Sequence, residues 1–276
     1  MQEIETPVCQ NEQTLYLEQG TLAEIKDTPQ KTSPDFPELL GKSEDKLKRE
    51  FYFYQVRELM QKVGLHVSSQ KTLGEIEDNI KQARNLGVKD ILVTPFYYSV
   101  VKSLKLRDRK ALSIGVAVDY PLGENGLKGK VADVKEACKK GADYVFCSLA
   151  KNSSSLSCFG EEKRKAIKCR KACKKPFGLI AQASLEEAEL IRTVKNTDSL
   201  RASAIVIQGS AKDVHALKDA VRTAVLYKGK RNVYVITDVI SAEDLAVLME
   251  SKADKVFTPH AHLIAKQLNE RATFYS

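Results

Sequence analysis

Short apolar runs alternate along this chain with longer stretches in which apolar residues recur every three or four positions. Eight runs read as strands: "GLHVSS", "DILVTP", "LSIGVAVD", "DYVFCSLA", "PFGLIAQ", "SAIVIQG", "NVYVITD" and "DKVFTPH". Their hydrophobicity is continuous rather than alternating, which marks strands buried on both faces and therefore a parallel sheet. Between them lie amphipathic helical patterns such as "TLGEIEDNIKQARNLG", "GKVADVKEACKKG", "SLEEAELIRTV" and "SAEDLAVLMES". Thr72 with Glu75, and Ser184 with Glu187, have the spacing of a capping box. The repeat is about 25 residues, the size of a βα module. Eight modules with no strand left over predict a closed (β/α)8 TIM barrel rather than an open doubly wound sheet. No G-x-G-x-x-G follows the first strand, which counts against dinucleotide binding.

Ahead of the barrel, residues 1–45 carry no such pattern, and "TPQKTSPDFPELLGKS" holds three of the eight prolines. This stretch is expected to be an irregular N-terminal extension. A leading helix is predicted over residues 43–64, from a Ser43 cap to Gly64. The barrel domain is expected over residues 46–276.

Composition changes the picture in one respect. The 276 residues are 43% hydrophobic and 29% charged, as in ordinary soluble domains. The net charge of +8, however, is unevenly spread: residues 1–50 hold eleven Asp/Glu and six Lys/Arg. A basic body with an acidic extension suits an acidic partner. The six cysteines, Cys9, Cys138, Cys147, Cys158, Cys169 and Cys173, form no C-x-x-C pair and no zinc spacing. Reduced thiols in a cytoplasmic protein are expected. The N-terminus lacks a signal-peptide pattern, and no apolar run approaches the roughly 18 residues of a membrane span.

The stretch "VAVDYPLGENGLKGKVADVKEACKKGADYV" contains an aromatic-Pro-x-Gly turn (Tyr120, Pro121, Leu122, Gly123), then a Lys-Val-Ala helix and a Gly-Ala-Asp strand entry. It resembles the strand-three region of the deoxyribose-phosphate aldolase family. "TLGEIEDNIKQARNLGVKDILVTPFYYSVV" is similar to that family's first helix and second strand, and "SAEDLAVLMESKADKV" to the approach to its last strand. The resemblance spans about residues 63–270. It implies an enzyme that makes and breaks carbon–carbon bonds through a Schiff base. Such chemistry needs a neutral lysine amine in an apolar pocket, a second cation to lower its pKa, and a carboxylate to move protons.

Those residues do not carry over. The Schiff-base lysine of strand six falls on Val206, and the second lysine falls near Tyr234–Ile236 on strand seven. The aspartate of strand four falls on Phe146 and that of strand one near Leu65. Across the eight predicted strands the single lysine is Lys255, at the entrance of strand eight. That is the structural face of a barrel, opposite the catalytic one. In place of the family's Gly- and Ser-rich phosphate turns stand "ITDVIS" and "TPHAHL", in which Pro259 removes an amide donor.

Other chemistry-bearing residues have ordinary readings. His260, His262, Asp119 and Asp238 are expected to be rim residues rather than a metal site. Cys147 reads as a buried thiol, His66 as a satisfied core histidine, and Tyr275 as a tail residue. The most unusual segment is "KRKAIKCRKACKK", with eight basic residues in thirteen: Lys163, Arg164, Lys165, Lys168, Arg170, Lys171, Lys174 and Lys175. On a helix, Ala166, Cys169 and Cys173 would form a stripe against the barrel and leave a dense positive face. Lys105, Arg107, Arg109, Lys110, Lys228, Lys230 and Arg231 are expected to add to it. No aromatic interleaving points to nucleic acid, and no large apolar residues flank the run as a membrane surface would require. The sequence therefore predicts a non-catalytic aldolase-like barrel that needs no cofactor and contacts an acidic protein such as actin. The alternative is an active lyase on 2-deoxyribose 5-phosphate that uses a displaced lysine.

Overall fold

A computed structural model describes residues 54–67, 72–107, 112–150 and 156–275. The N-terminal extension, the Ser43 cap, Cys9, Arg109 and Lys110 lie outside the described residues, as do the side chains of Lys105, Arg107, Cys158 and Tyr275. Helical turns over residues 54–61 (α1) lead into β1 (Val63–Val67), α2 (Leu73–Asn85) and β2 (Asp90–Val93). Then come α3 (Tyr98–Arg107), β3 (Ser113–Val118), α4 (Leu127–Lys140), β4 (Tyr144–Ser148), α5 (Leu156–Ala172) and β5 (Phe177–Gln182). The chain ends with α6 (Glu187–Ser199), β6 (Ala204–Gln208), α7 (Val214–Tyr227), β7 (Asn232–Ile236), α8 (Ala242–Met249), β8 (Lys255–Thr258) and α9 (Ala261–Tyr275). All eight strands pair in parallel in chain order, and β8 closes on β1. The fold is the (β/α)8 barrel that the apolar runs require.

Local signals behave as their chemistry dictates at most boundaries. Thr72 accepts from the Glu75 amide while the Glu75 carboxylate accepts from the Thr72 amide, so the capping box at α2 is complete. Two expectations need correction. Gly64 does not end the leading helix: it is the second residue of β1, paired with Asp90 of β2 and Phe257 of β8. Ser184 does not cap α6, which begins only at Glu187, after a turn in which the Leu185 amide donates to Gln182 O.

The barrel separates two cores. Side chains such as Leu65, Ile91, Val116, Val145, Ile205 and Val235 point outward against the helices. Leu92, Ala117, Phe146, Ile180, Val206, Ile236 and Phe257 form a second cluster with Tyr144 and Tyr234. Phe146 lies 5.7 Å from Tyr234 and 6.4 Å from Phe257, ring centre to ring centre. Since β4 is not a neighbour of β7 or β8, those contacts run through the barrel interior. Three strand glycines make room for the rings: a Cβ on Gly64, Gly115 or Gly178 would come within 2.4, 1.8 and 2.8 Å of Phe257, Tyr144 and Phe146. Large residues thus face small ones, which lets four rings close-pack in a narrow barrel. Below this layer, Lys255 pairs with Asp90. Above it the interior turns polar and opens to solvent.

Candidate functional site

The ends of β1, β5, β6, β7 and β8 surround a cavity of about 650 Å³ at the C-terminal mouth of the barrel. Ile236 forms part of its floor, and Pro121 and Pro259 part of its wall. Its polar groups are mostly uncharged. Gln182 Nε2 donates to Gln208 Oε1 at 3.0 Å and to Pro121 O at 3.4 Å. Tyr120 packs edge-on against His66 at 4.9 Å, and burial, followed by the nearby Asp238 carboxylate, pushes its phenol up to about 12. No lysine or arginine stands among the described residues that line this cavity.

Two residues on the cavity lining each carry a buried polar atom without a hydrogen-bond partner: His66 Nε2 and Thr237 Oγ1. Each residue is only 4% exposed. Desolvation lowers the His66 pKa to about 4, so the ring is neutral near pH 7. His66 was expected to be a satisfied core residue; it is instead a neutral imidazole with an unused nitrogen. Leu65, where the resemblance places the strand-one aspartate, points outward into the shell beneath the helices, and His66 takes the inward place. Val206, Tyr234 and Phe146 all belong to the interior cluster.

The mouth also differs from a phosphate cradle. After β6, the Gly209 amide donates to Ile236 O, the Ala211 amide to Asp238 Oδ1, the Lys212 amide to Ser210 Oγ, and the Ala216 amide to Asp213 Oδ1. After β8, the His260 amide donates to Thr258 Oγ1. These five backbone donors are therefore engaged from within the chain.

A buried lysine does exist, on a helix. Lys130 of α4 is 1% exposed. Its Nζ donates to Gly123 O at 2.8 Å and Ser148 O at 3.0 Å, and stands 3.1 Å from Asp119 Oδ2 and 3.3 Å from Glu162 Oε2. Burial alone would raise the Glu162 carboxyl, yet hydrogen bonds from Lys165 and the Ala150 amide, with Lys130 close by, hold it below the usual range. Asp119, at φ 57°, also accepts from the Asn125 amide and so fixes the loop after β3. With four acceptors for three protons, Lys130 has no free lone pair to offer a carbonyl. Its place was legible in principle: Lys130, Val134 and Ala137 share the buried face of α4.

The remaining candidates are dispersed. No three potential metal ligands cluster among the described residues; Asp119 serves Lys130, Asp238 serves Ala211, and His260 lies on the mouth. Cys147 faces the outer shell, where its hydrogen bond with Cys169 and burial push the thiol well above its usual range. On α5, Ala166 and Cys169 are buried, as is Cys173 just beyond it, while Arg164, Lys168 and Lys171 are exposed, as is Lys174. Lys163 and Lys175 are half-buried. Lys165 and Arg170 turn to internal partners, Glu161 and Glu162 for the first, Cys173 O and Arg201 O for the second. Arg231, expected on the surface, is instead 7% exposed and donates to Val194 O and Lys228 O. Among the described residues no helix is long and apolar enough to cross a membrane.

No family model matches the chain. A deoxyribose-phosphate aldolase of Mycoplasmoides pirum is 26% identical over 159 residues, covering 52% of this chain and 70% of that protein. Among solved structures, an aldolase named QR15 superposes with a TM-score of 0.67 at 17% identity, covering 79% of this chain and 99% of its own. The deoxyribose phosphate aldolase of Aeropyrum pernix gives a TM-score of 0.64 at 15% identity, covering 83% and 98%. At those identities the structures speak for the fold, while the Mycoplasmoides pirum protein adds a likeness in sequence. Taken with the aromatic-Pro-x-Gly turn seated at the barrel mouth, they relate this chain to the deoxyribose-phosphate aldolase family.

Proposed function

We propose that this chain is an aldolase-like barrel that forms no Schiff base and acts by binding, in the cytoplasm. One observation supports the reading: Val206, Tyr234 and Phe146, where the resemblance puts the two lysines and the strand-four aspartate, are packed together with their neighbours inside the barrel. A nucleophilic amine must be neutral and must touch the substrate. Among the described residues, Lys255 is paired with Asp90 below the ring layer, and Lys130 is enclosed by its four acceptors. Borohydride trapping with 2-deoxyribose 5-phosphate or acetaldehyde, followed by mass spectrometry, tests the reading. The expected result is no lysine adduct and no turnover; an adduct on any lysine, or cleavage of the sugar, restores the active lyase.

The exposed row Arg164, Lys168 and Lys171, one turn apart along α5, favours a second element of the reading: contact with an acidic protein surface. Actin filaments provide a dense acidic probe. Cosedimentation should weaken steadily as salt rises, and absence of binding at about 50 mM salt would rule this contact out.

A further inference from the structure

We infer that the barrel mouth is a binding site for an uncharged polyhydroxy compound of about pentose to hexose size, and that it discriminates against the phosphorylated form. The inference rests on the reading of this barrel as a binder, and deepens it by assigning the ligand class. The cavity of about 650 Å³ is in the range of small-ligand sites, with apolar floor and walls and a few converging polar groups.

Three features fix the chemistry. First, His66 Nε2 and Thr237 Oγ1, on two residues of the cavity lining, are buried and have no partner. An unpaired buried polar group carries a desolvation cost that a hydrogen bond from a ligand hydroxyl would remove. A hydroxyl both donates and accepts, so it satisfies the neutral imidazole in either tautomer. Second, the amides of Gln182 and Gln208, hydrogen-bonded side by side, present a mixed donor and acceptor edge without charge, which suits hydroxyls rather than ions. Third, the mouth repels anions. Asp238 is the charged group on its lining, and its carboxylate already takes the Ala211 amide that an incoming phosphate would use. Placing a phosphate beside that carboxylate costs Coulomb energy, and no cation among the described lining residues offsets it.

Isothermal titration of the full chain with 2-deoxy-D-ribose, D-ribose, D-glucose, 2-deoxyribose 5-phosphate and inorganic phosphate tests the inference. At least one uncharged sugar should bind, and deoxyribose should bind about tenfold or more tightly than its 5-phosphate, a difference of about 1.4 kcal/mol. H66F, which keeps a ring but removes the nitrogen, should weaken the sugar about tenfold or more while the protein stays folded by circular dichroism. T237V should weaken it by a smaller factor, and D238N should narrow the gap between sugar and phosphate. Equal or tighter binding of the phosphate overturns the inference, as does the absence of binding by all three sugars up to about 20 mM. A borohydride-trapped lysine would instead defeat the non-catalytic reading and leave the preference for an uncharged ligand standing, so the two failures are distinguishable.

Discussion

Lys130 and His66 are both buried polar side chains near the C-terminal ends of the strands, and they are treated in opposite ways. Around Lys130, two carbonyls and two carboxylates from three segments, the loop after β3, β4 and α5, converge on one ammonium. Around His66, a tyrosine ring packs against one side, and Nε2 is buried with nothing to bond. The first arrangement satisfies every proton and fixes the loop after β3; it has no capacity left for a substrate. The second leaves capacity unused at a cost to stability. A fully satisfied buried charge therefore reads as architecture, and an unsatisfied neutral group beside a cavity reads as a contact awaiting a ligand.

The largest test of this contrast is Lys130→Met. Removing the ammonium leaves Asp119 and Glu162 facing each other in a dry site, and the expected loss is about 3–5 kcal/mol in urea unfolding. A loss below about 1 kcal/mol would mean the knot does not hold the loop.

Next is the pH dependence of His66. Its folded pKa is lowered from 6.5 to about 4, so the unfolded chain binds more protons between those values. Stability is full above pH 6.5 and falls as pH drops through that window, by about 2 kcal/mol between roughly pH 7 and pH 5 from this residue alone. His66→Gln should flatten the change in urea midpoint over that range by the same amount. An unchanged slope would show that the ring is not held neutral.

Two threonines sharpen the comparison at smaller scale. Thr258 Oγ1 donates to Val239 O at 2.7 Å and accepts from the His260 amide, whereas Thr237 Oγ1 has no partner. Thr258→Val should cost about 1–2 kcal/mol, because it orphans two backbone groups. Thr237→Val should be neutral or stabilise by up to about 1 kcal/mol, because it removes an unmet desolvation cost. Equal losses by thermal or urea unfolding would erase the distinction between the two hydroxyls.

Much of this architecture was legible in the chain. The eight strands lie within two residues of their apolar runs, because burial on both faces keeps their interiors largely apolar. That same continuity hid which residues face inward. A strand with one wet face announces its parity, whereas "GLHV" does not, so His66 and Leu65 exchange roles relative to the expectation. Gly64 looked like the boundary between helix and strand because a glycine after a helix commonly ends it, and pairing with Asp90 and Phe257 places it inside β1. Lys130 was hidden among the basic residues of α4, since a helical lysine is ordinarily solvated and its acceptors come from distant segments.

Sequence alone determined the closed parallel barrel and the absence of a strand lysine at its mouth, because periodicity and residue type are local properties of the chain. Tertiary structure decided which buried groups are satisfied and which are not: whether Lys130 is enclosed, whether Asp238 occupies the Ala211 amide, and whether His66 Nε2 is unpaired. A hydrogen bond depends on where a second, sequence-distant atom lies, and closure of the barrel sets those distances.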